Sequence, residues 1–364
     1  MKYLFVFILL IHGIIHFMGF VKAFKLQEVS QLTLSISKTT GVFWFFTGLL
    51  FVIAFVALLL KQQWWPVLGM IAIMLSQILI IYYWKDAKYG TIVNLIVFLV
   101  AISSYATYRF NGMVQKEIEV LSRTDNIKNL PHITNEDIAH LPEIVRKWIL
   151  NSGFVGRERI VYVSIGQEGQ MRTKPNSKWM PFTATQHFRV DRSAFIWQAN
   201  VKAMPLVHLL GRDKLIHGEG EMLIKLLGFF TVVDERNHPK VNSASMLRYL
   251  AETSWFPTAA LNENIIWEEI APNTAKATLT INDKSVTGIF TFTDKGEMVS
   301  FECERYYGTG KDARLEKWFI EALGHKTFDG IKIPHKSRVV WRLDQGDFDW
   351  LHLEITHLDY NTLP

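Results

Sequence analysis

The sequence predicts a four-helix transmembrane N-terminal region followed by an α+β domain that is mainly antiparallel β. Three observations support this prediction. Four apolar runs of roughly 20 residues, the length of a membrane-crossing helix, occupy the first third of the 364-residue chain. From residue 159 onward, apolar and polar residues alternate with the period of two that is typical of strands. The segments between these strands are short, so neighbouring strands are expected to be antiparallel.

The apolar runs cover residues 3–21, 41–60, 64–84 and 89–108. A helix rises about 1.5 Å per residue, so each run is long enough to cross about 30 Å of hydrocarbon. Trp and Tyr lie near the ends of the runs, where amphipathic rings meet the headgroup region. The first run lacks a small-x-small cleavage site, which favours a retained helix over a cleaved signal peptide.

The charges are unevenly distributed. Residues 1–110 carry eight Lys or Arg and two acidic residues, a net charge of +6, whereas the whole chain has +5. The basic excess therefore lies between the apolar runs, which removes the compositional argument for a nucleic-acid partner. The first and third connections hold five lysines, against three basic residues in the other short segments. The positive-inside rule then predicts that these two connections face the cytoplasm, so the C-terminal domain is expected to be extracytoplasmic.

His12 and His16 lie four residues apart in the first apolar run and therefore share one helix face. Two imidazoles in this arrangement are candidate ligands for a metal or a haem, because ionisable groups inside a bilayer usually face a bundle interior. The alternative is a pair of neutral histidines hydrogen-bonded between helices. The single cysteine, Cys303, excludes an intramolecular disulfide and a Cys-rich zinc site.

We predict three regions: four transmembrane helices in 1–110, a juxtamembrane helical linker in 111–158, and an antiparallel β-rich soluble domain in 159–364. In the linker, Thr134 and Asp137 have the spacing of a capping box that opens a short helix. Pro142 suits the first turn of the next helix, which Gly153 ends.

The β-rich domain is predicted to contain about ten or eleven strands. Gly166–Gly169 is interpreted as a turn, and 215–226 as one strand. A large antiparallel sheet must curl or close, because long flat sheets leave unprotected edges. The predicted helix Ser243–Ser254 is apolar enough to lie in the concavity of such a sheet. We therefore expect a curled sheet with a covering helix.

Several strings resemble an uncharacterised bacterial membrane-protein family that carries a domain of unknown function. They are Arg248-Tyr-Leu-Ala-Glu252, Trp255-Phe-Pro-Thr258, Ile266-Trp-Glu268, Gly211-Arg-Asp213, Gly218-Glu-Gly220 and Arg305-Tyr306. The resemblance covers about residues 140–360 and implies no activity. Gly330-Ile-Lys-Ile-Pro334, followed by a final hairpin, is similar at the level of the fold to periplasmic lipoprotein carriers. That similarity implies a half-barrel whose apolar concavity holds acyl chains.

Enzyme motifs are missing from the sequence: it has no Gly-x-Ser-x-Gly, phosphate loop, dinucleotide turn or His-Glu-x-x-His. We therefore expect a non-enzymatic protein and predict no cofactor beyond the metal or haem alternative above. His217, Glu219 and Glu221 alternate along one predicted strand; they are either a metal cluster or a solvated strand face.

The leading functional hypothesis is that the β-rich domain binds a lipid or other amphiphile at the surface of the bilayer. Aromatic residues are abundant in the predicted strands, and large rings line apolar pockets as well as fill cores. The candidate ligand-binding residues are Arg248, Glu252, Trp255, Tyr249 and Arg212. The alternatives are a metal- or haem-linked membrane redox protein using His12 and His16, and a structural or sensory module for an unknown protein partner.

Overall fold

The computed structural model describes residues 2–123, 129–308 and 312–364. The chain folds into two compact units, Met1–Gly112 and Met113–Pro364. The helix Gly90–Ser122 runs through the division, so its first part belongs to one unit and its last turns to the other. The predicted linker, 111–158, falls almost entirely within the second unit.

The first unit is helical. Its elements are α1 (Lys2–Ala23), α2 (Lys38–Leu59), α3 (Trp65–Tyr82), the single turn α4 (Trp84–Ala87) and α5 (Gly90–Ser122). The four long helices correspond to the four predicted apolar runs, and each is long and apolar enough to cross a membrane. Within each helix the interior backbone N–H and C=O groups bond to one another, which a lipid environment requires.

Asp86 in α4 joins two connections at one end of the bundle. Its carboxylate accepts hydrogen bonds from the backbone nitrogens of Thr33 at 2.6 Å and Leu34 at 2.8 Å. These backbone donors, with the Thr33 hydroxyl, lower the pKa of Asp86. The two lysine-bearing connections, α1–α2 and α3–α5, therefore lie together.

Glycines allow α1 and α2 to approach closely. A Cβ on Gly19 would lie 2.3 Å from the Trp44 ring, and one on Gly41 would lie 2.3 Å from the Cβ of Ala23. Gly48 would meet the backbone oxygen of Gly13 at 2.9 Å. Small residues at helix contacts let backbones pack closely in apolar surroundings, where dispersion provides much of the attraction.

We predict that Gly19→Ala destabilises the bundle, because the added methyl overlaps the base of a buried indole that has no room to move. The expected loss is about 1–3 kcal/mol of unfolding free energy, measured by thermal unfolding in nonionic detergent. Gly112→Ala is the matched control, since a Cβ there meets no atom within 4 Å. An equal loss in both variants would contradict the packing argument.

The second unit begins with the last turns of α5, followed by α6 (Asn135–Ile138) and α7 (Glu143–Ser152). The predicted capping box is confirmed: Thr134 Oγ1 accepts from the Asp137 nitrogen, and the Asp137 carboxylate accepts from the Thr134 nitrogen. Gly153, in the left-handed region at φ 82°, ends α7 as predicted.

Within the described residues, one antiparallel sheet of thirteen strands forms the rest of this unit. In chain order the strands are β1 (Tyr162–Met171), β2 (Met180–Arg189), β3 (Ala194–Met204), β4 (Val207–Ile216), β5 (Glu219–Leu226), β6 (Phe230–Arg236), β7 (Ile265–Ala271), β8 (Thr274–Ile281), β9 (Lys284–Phe292), β10 (Met298–Tyr307), β11 (Arg314–Phe328), β12 (Ile331–Leu343) and β13 (Gly346–Tyr360).

The strand order is β6-β5-β4-β3-β2-β1-β13-β12-β11-β10-β9-β8-β7. Two meanders are thus joined where β1 pairs with β13, and β6 and β7 form the two edges. The sheet is curled: Asn282 in the β8–β9 turn donates to the carbonyl of His217 in the β4–β5 turn at 3.0 Å. The predicted half-barrel-like sheet is confirmed.

The chain crosses from one edge of the sheet to the other between β6 and β7. This segment contains α8 (Pro239–Glu252) and two short 3-10 turns. Met246 and Leu250 of α8, with Phe256 after it, are fully buried in the main hydrophobic core. The predicted covering helix is therefore present, and it begins at Pro239, four residues earlier than the sequence suggested.

The turn predicted at Gly166–Gly169 is wrong, because β1 continues through it to Met171. A Cβ on Gly169 would lie 2.0 Å from the His352 carbonyl oxygen of β13. The glycine is needed for close approach of the neighbouring strand, and a register shift follows Gly166. Glycine in a strand and glycine in a turn look alike in a single sequence.

Two further strands were not recognised in the sequence. The predicted strand 215–226 is divided by a turn at His217, which has φ 52°, so that β4 ends at Ile216 and β5 begins at Glu219. β11 was missed altogether. Its fifteen residues hold several charged side chains, and its register shifts around Gly324, so the alternation is interrupted.

Candidate functional site

A cavity of about 450 Å³ lies between the concave face of the sheet and α8. Its walls are largely apolar and come from strands on both sides of the β1–β13 pairing. They include Met171, Phe182, Ala199, Val201, Leu209, Ile224, Trp318, Val339, Trp341, Phe348 and Leu351. Because side chains alternate between the two faces of a strand, every second one points to the concave face. These side chains line the cavity.

The cavity extends to one end of the sheet. This end is formed by the β1–β2, β3–β4, β5–β6 and β12–β13 connections together with the end of β10, and we call it the turn rim. Arg172, Gly308 and Phe348, which lie at or beside these connections, are among the lining residues. Met204, Leu206 and Phe230 of the turn rim are 63%, 69% and 59% exposed. The cavity therefore ends beside exposed apolar hairpin tips.

A charged cluster forms part of the cavity lining. Arg248 of α8 donates through Nη1 to Asp213 of β4 and through Nε to Glu252 one helical turn later, both at 2.8 Å. The guanidinium lies 4.7 Å from the centre of the Trp197 ring and 5.1 Å from that of Phe195, distances of cation–π contact. The cluster thus attaches α8 to β4 and β3.

Amides continue the cluster across the concave face. Gln186 of β2 donates to the second Glu252 oxygen at 2.6 Å and accepts from Gln167 of β1 at 3.1 Å. The Trp197 indole donates to Gln167 at 2.9 Å. Each carboxylate and amide thus has a defined partner, as buried polar groups require.

Burial raises the pKa of Asp213 and that of Glu252, and the positive charge of Arg248 opposes the rise in both. For Arg248 the balance is reversed: burial acts to lower its pKa, but the charges of Glu252 and Asp213 raise it. The guanidinium therefore stays protonated, and its charge is the strongest of those that oppose the rise in the pKa of both carboxyls.

Arg305 of β10 is a second cation in the cavity lining, and the sequence analysis did not select it. Its guanidinium stacks 4.5 Å from the Trp318 ring centre and 5.6 Å from that of Trp341. Its Nε donates to the Ala244 carbonyl of α8 at 3.2 Å. Burial lowers its pKa to about 10, so it remains charged at neutral pH. The only sequence signal was Arg305-Tyr306 within the family resemblance.

Arg172, just after β1, is held by the same two kinds of contact, a backbone carbonyl and aromatic rings. Its Nε donates to the Asp349 carbonyl at 2.6 Å, and its guanidinium lies over the rings of Trp179 at 4.6 Å and Phe348 at 5.8 Å.

Of the predicted ligand-binding residues, the structure brings Arg248, Glu252 and Trp255 to the cavity lining. Trp255 is 4% exposed and lies at the end of α8.

Tyr249 and Arg212 lie elsewhere. Tyr249 is fully buried in the core, where its hydroxyl donates to the Val190 carbonyl at 3.2 Å. Arg212 projects to the other face of β4 than Asp213 and pairs with Glu117 of α5 at 3.3 Å and Glu221 at 2.9 Å. The strand period of two separates Arg212 from Asp213, although the two are adjacent in sequence.

The sequence left two interpretations of His12 and His16 open, ligands of a metal or haem and neutral hydrogen-bonded histidines; the structure places both in a hydrogen-bond network. His16 Nδ1 lies 2.7 Å from the His12 carbonyl, and its Nε2 lies 2.9 Å from Ser76 Oγ. His12 Nε2 lies 2.9 Å from Asn94 Oδ1, and the Asn94 amide reaches Ser76 at 3.0 Å and Gln77 at 3.1 Å. The network links α1, α3 and α5.

One assignment of protons satisfies this network with every group neutral. His16 Nδ1–H donates to the His12 carbonyl, so its Nε2 accepts from Ser76, whose oxygen accepts from Asn94. His12 Nε2–H donates to Asn94 Oδ1. A metal bound at either Nε2 would have to replace one of these bonds. Metal binding therefore stays a prediction, and among the described residues no group of three His, Cys, Asp or Glu could hold a metal ion.

The remaining sequence candidates are dispersed. His217 lies in the β4–β5 turn, whereas Glu221 of β5 pairs with Arg212 and with Lys214 at 3.2 Å. Cys303 is 8% exposed in the core, and burial raises the pKa of its thiol to about 12. Such a thiol is a poor nucleophile at neutral pH.

Residues 131–353 match the model of a family of unknown function, DUF6544. The match covers more than half of the chain, so the chain belongs to this family. The resemblance to a family with a domain of unknown function, drawn from the Arg248–Thr258 strings, is thereby confirmed. A search of curated proteins finds no match.

Three solved structures share the sheet architecture at 10% identity. A LolA superfamily protein from Nitrosomonas europaea has a TM-score of 0.35, with 61% of this chain and 93% of that chain covered. A domain described as an outer membrane lipoprotein-sorting protein domain from Vibrio parahaemolyticus has a TM-score of 0.33, covering 60% and 92%. A DUF1329 family protein from Desulfovibrio piger also has 0.33, covering 60% and 90%. TM-scores at this level transfer no function.

We predict that Arg248→Met destabilises the protein by about 3–5 kcal/mol near neutral pH, because it leaves two buried carboxylates without their cation. The pKa of Asp213 and Glu252 would rise further, so both would bind protons more tightly in the folded state. Stability of the variant should therefore fall as pH rises above the ordinary carboxyl range and recover on acidification.

Chemical unfolding followed by tryptophan fluorescence, at about pH 7 and about pH 5, measures this recovery. Lys147→Met is the control, because Lys147 and Glu143 form an exposed pair at 2.7 Å whose side chains are 46% and 62% exposed. Its loss should stay below about 1 kcal/mol at both values. A penalty for Arg248→Met that does not change with pH would contradict the assignment.

For the first unit, Asn94→Leu should lower the unfolding free energy by roughly 1–3 kcal/mol, since His12 and Ser76 lose their common partner in apolar surroundings. Thermal unfolding in detergent measures the loss. Thr47→Val serves as control, because the Thr47 hydroxyl bonds only the Phe43 carbonyl of its own helix, at 2.8 Å. Equal losses in the two variants would show that the interhelical network adds nothing.

Proposed function

We propose that the sheet unit binds a lipid or other amphiphile in its cavity, without catalysis, and that the four apolar helices span a membrane and hold the unit at its surface. The observation that carries the proposal is the composition of the cavity: apolar walls over most of its surface and charged side chains at defined positions. An amphiphile has the same division between an apolar tail and a polar head.

The size of the cavity fits this ligand class. Small-molecule sites usually measure about 300–1,000 Å³, and this cavity measures about 450 Å³. Each buried methylene of an acyl chain contributes about 0.8 kcal/mol, so a tail of about ten carbons gains roughly 8 kcal/mol before the entropy of ordering is subtracted.

The turn rim supports a location at a lipid surface. Leu206 and Phe230 of this rim are exposed, in the manner of side chains that contact apolar partners.

For the orientation, we propose that the lysine-bearing α1–α2 and α3–α5 connections face the cytoplasm and that the sheet unit lies outside the bacterial cytoplasmic membrane. Protease digestion of sealed spheroplasts and of inverted vesicles distinguishes the two topologies. Protection of the sheet unit in spheroplasts would overturn this part of the proposal.

The direct test is mass spectrometry of organic extracts of the purified full-length protein. We expect a stoichiometric amphiphile that disappears when the cavity is filled. Ala199→Phe introduces a ring from β3 into the cavity, where Ala199 is 2% exposed, and Leu209→Trp does so from β4. Both variants should bind a fluorescent acyl probe at least about tenfold more weakly, a change of about 1.4 kcal/mol.

Asn200→Phe is the matched control for this prediction. Asn200 follows Ala199 on the same strand and is exposed on the opposite face of the sheet. Thermal unfolding of all three variants shows whether each still folds. Unchanged probe binding in folded Ala199→Phe and Leu209→Trp, or no extractable amphiphile and no probe binding in the wild type, would overturn the proposal.

A further inference from the structure

Two arginines in the cavity lining, Arg305 and Arg172, form no salt bridge in the described part of the chain. The charges of Asp213 and Glu252 act on Arg305 without direct contact and oppose the lowering of its pKa by burial. By contrast, Arg248 has Asp213 and Glu252 as partners, each at 2.8 Å. Both carboxylates of the cluster are thus already bound to Arg248.

Each of the two arginines is held in place while its terminal nitrogens stay open. Arg305 donates through Nε to the Ala244 carbonyl, and Arg172 donates through Nε to the Asp349 carbonyl. Each stacks on a tryptophan, Trp318 or Trp179. These contacts use the edge and the face of the guanidinium and leave Nη1 and Nη2 without a hydrogen-bonding partner in the described chain.

The terminal nitrogens of Arg305 and Arg172 are also not sealed off by the surrounding protein. The side-chain nitrogens that are fully enclosed without a partner belong to other residues, such as Trp318 and Trp350. Both arginines line the cavity, so their free N–H groups face space that a ligand can occupy. A planar pair of N–H donors fits the oxygens of a phosphate or a carboxylate.

We infer that the ligand of this cavity carries an anionic head group, a phosphate or a carboxylate, which Arg305 binds through its terminal nitrogens with Arg172 as a second cation. The inference rests on the proposed amphiphile-binding function and adds the class of head group. The arginines need no rearrangement to bind, because carbonyl contacts and stacking already fix both side chains, and such preorganisation favours affinity.

The positions of the two guanidinium groups also suit one head group bound near the turn rim. Arg172 also lies over Phe348, and Arg305 over Trp341. Phe348 and Trp341 are direct partners across the β12–β13 pairing. The two guanidiniums thus cover adjacent parts of one aromatic wall near the turn rim. A tail can then extend toward the apolar lining of β3 and β4 while the head remains near the rim.

The test compares ligands that share one tail and differ in the head. Hexadecyl phosphate, hexadecanol and inorganic phosphate compete with a fluorescent acyl probe for the full-length protein in a fixed nonionic detergent. We expect the wild type to prefer hexadecyl phosphate over hexadecanol. Arg305→Gln should weaken hexadecyl phosphate by about tenfold or more, since a charge-assisted bidentate contact is lost, and leave hexadecanol within about twofold.

Arg305→Lys keeps the charge but lacks the planar fork, so it should restore only part of the preference. Arg342→Gln is the matched control. Arg342 also stacks on a ring, lying 4.0 Å from the centre of Phe319, but it pairs with Glu302 at 3.2 Å and is not among the lining residues. The preference of Arg342→Gln should equal that of the wild type.

The outcomes separate this inference from the proposed function. Equal binding of hexadecyl phosphate and hexadecanol, unchanged by Arg305→Gln, overturns the head-group inference and leaves amphiphile binding intact. Binding of neither ligand overturns both. Competition by inorganic phosphate as strong as that by hexadecyl phosphate shows a site for a free anion and overturns the assignment to an amphiphile head.

Discussion

The pairing of Arg248 with Asp213 and Glu252 is the interaction on which the arrangement of the sheet unit depends. The connection between the two edge strands has to cross the concave face, and it does so as α8. Apolar packing alone would hold a helix there in several orientations, but a buried cation with two carboxylates on different elements has one good geometry. The position of α8 in turn determines which part of the concavity remains open.

The same cluster explains why the cavity is polar at defined positions without being polar throughout. Its amides and carboxylates satisfy one another across β1, β2, β4 and α8, so they need no ligand. Arg305 and Arg172 are different, because backbone carbonyls and aromatic rings fix them without a salt bridge in the described part of the chain. This difference separates the residues that build the site from the two that we propose as ligand contacts.

The sequence predicted what depends on local pattern. Hydropathy identified the four long helices, the Thr134–Asp137 spacing identified a capping box, and Arg248 and Glu252 were selected as candidate binding residues. The sequence could not predict that Asp213 of β4 pairs with Arg248, because Asp213 is 35 residues away and its register with α8 depends on the whole curl. Gly169 was misinterpreted as part of a turn for the same reason: glycine is needed there because β13, which is distant in sequence, passes too close for a side chain.

Arg305 shows a second limit of prediction from one sequence. An arginine on an alternating strand normally faces solvent, and nothing in its neighbours shows that Trp318 and Trp341, from two other strands, stack beneath it. Only the pairing of β10, β11 and β12 brings the three together. Charged residues can be located in the sequence, but the side chains that contact them in the fold cannot.

The unpaired edges of the sheet have a consequence for selectivity. In a closed barrel, a complete ring of hydrogen bonds fixes the circumference and therefore the internal volume. Here β6 and β7 do not meet, so small changes in twist, spread over twelve strand pairings, can widen or narrow the concavity without breaking a ladder. For the proposed amphiphile, a concavity of this kind would discriminate poorly between tail lengths, so selectivity would depend on the groups at the turn rim.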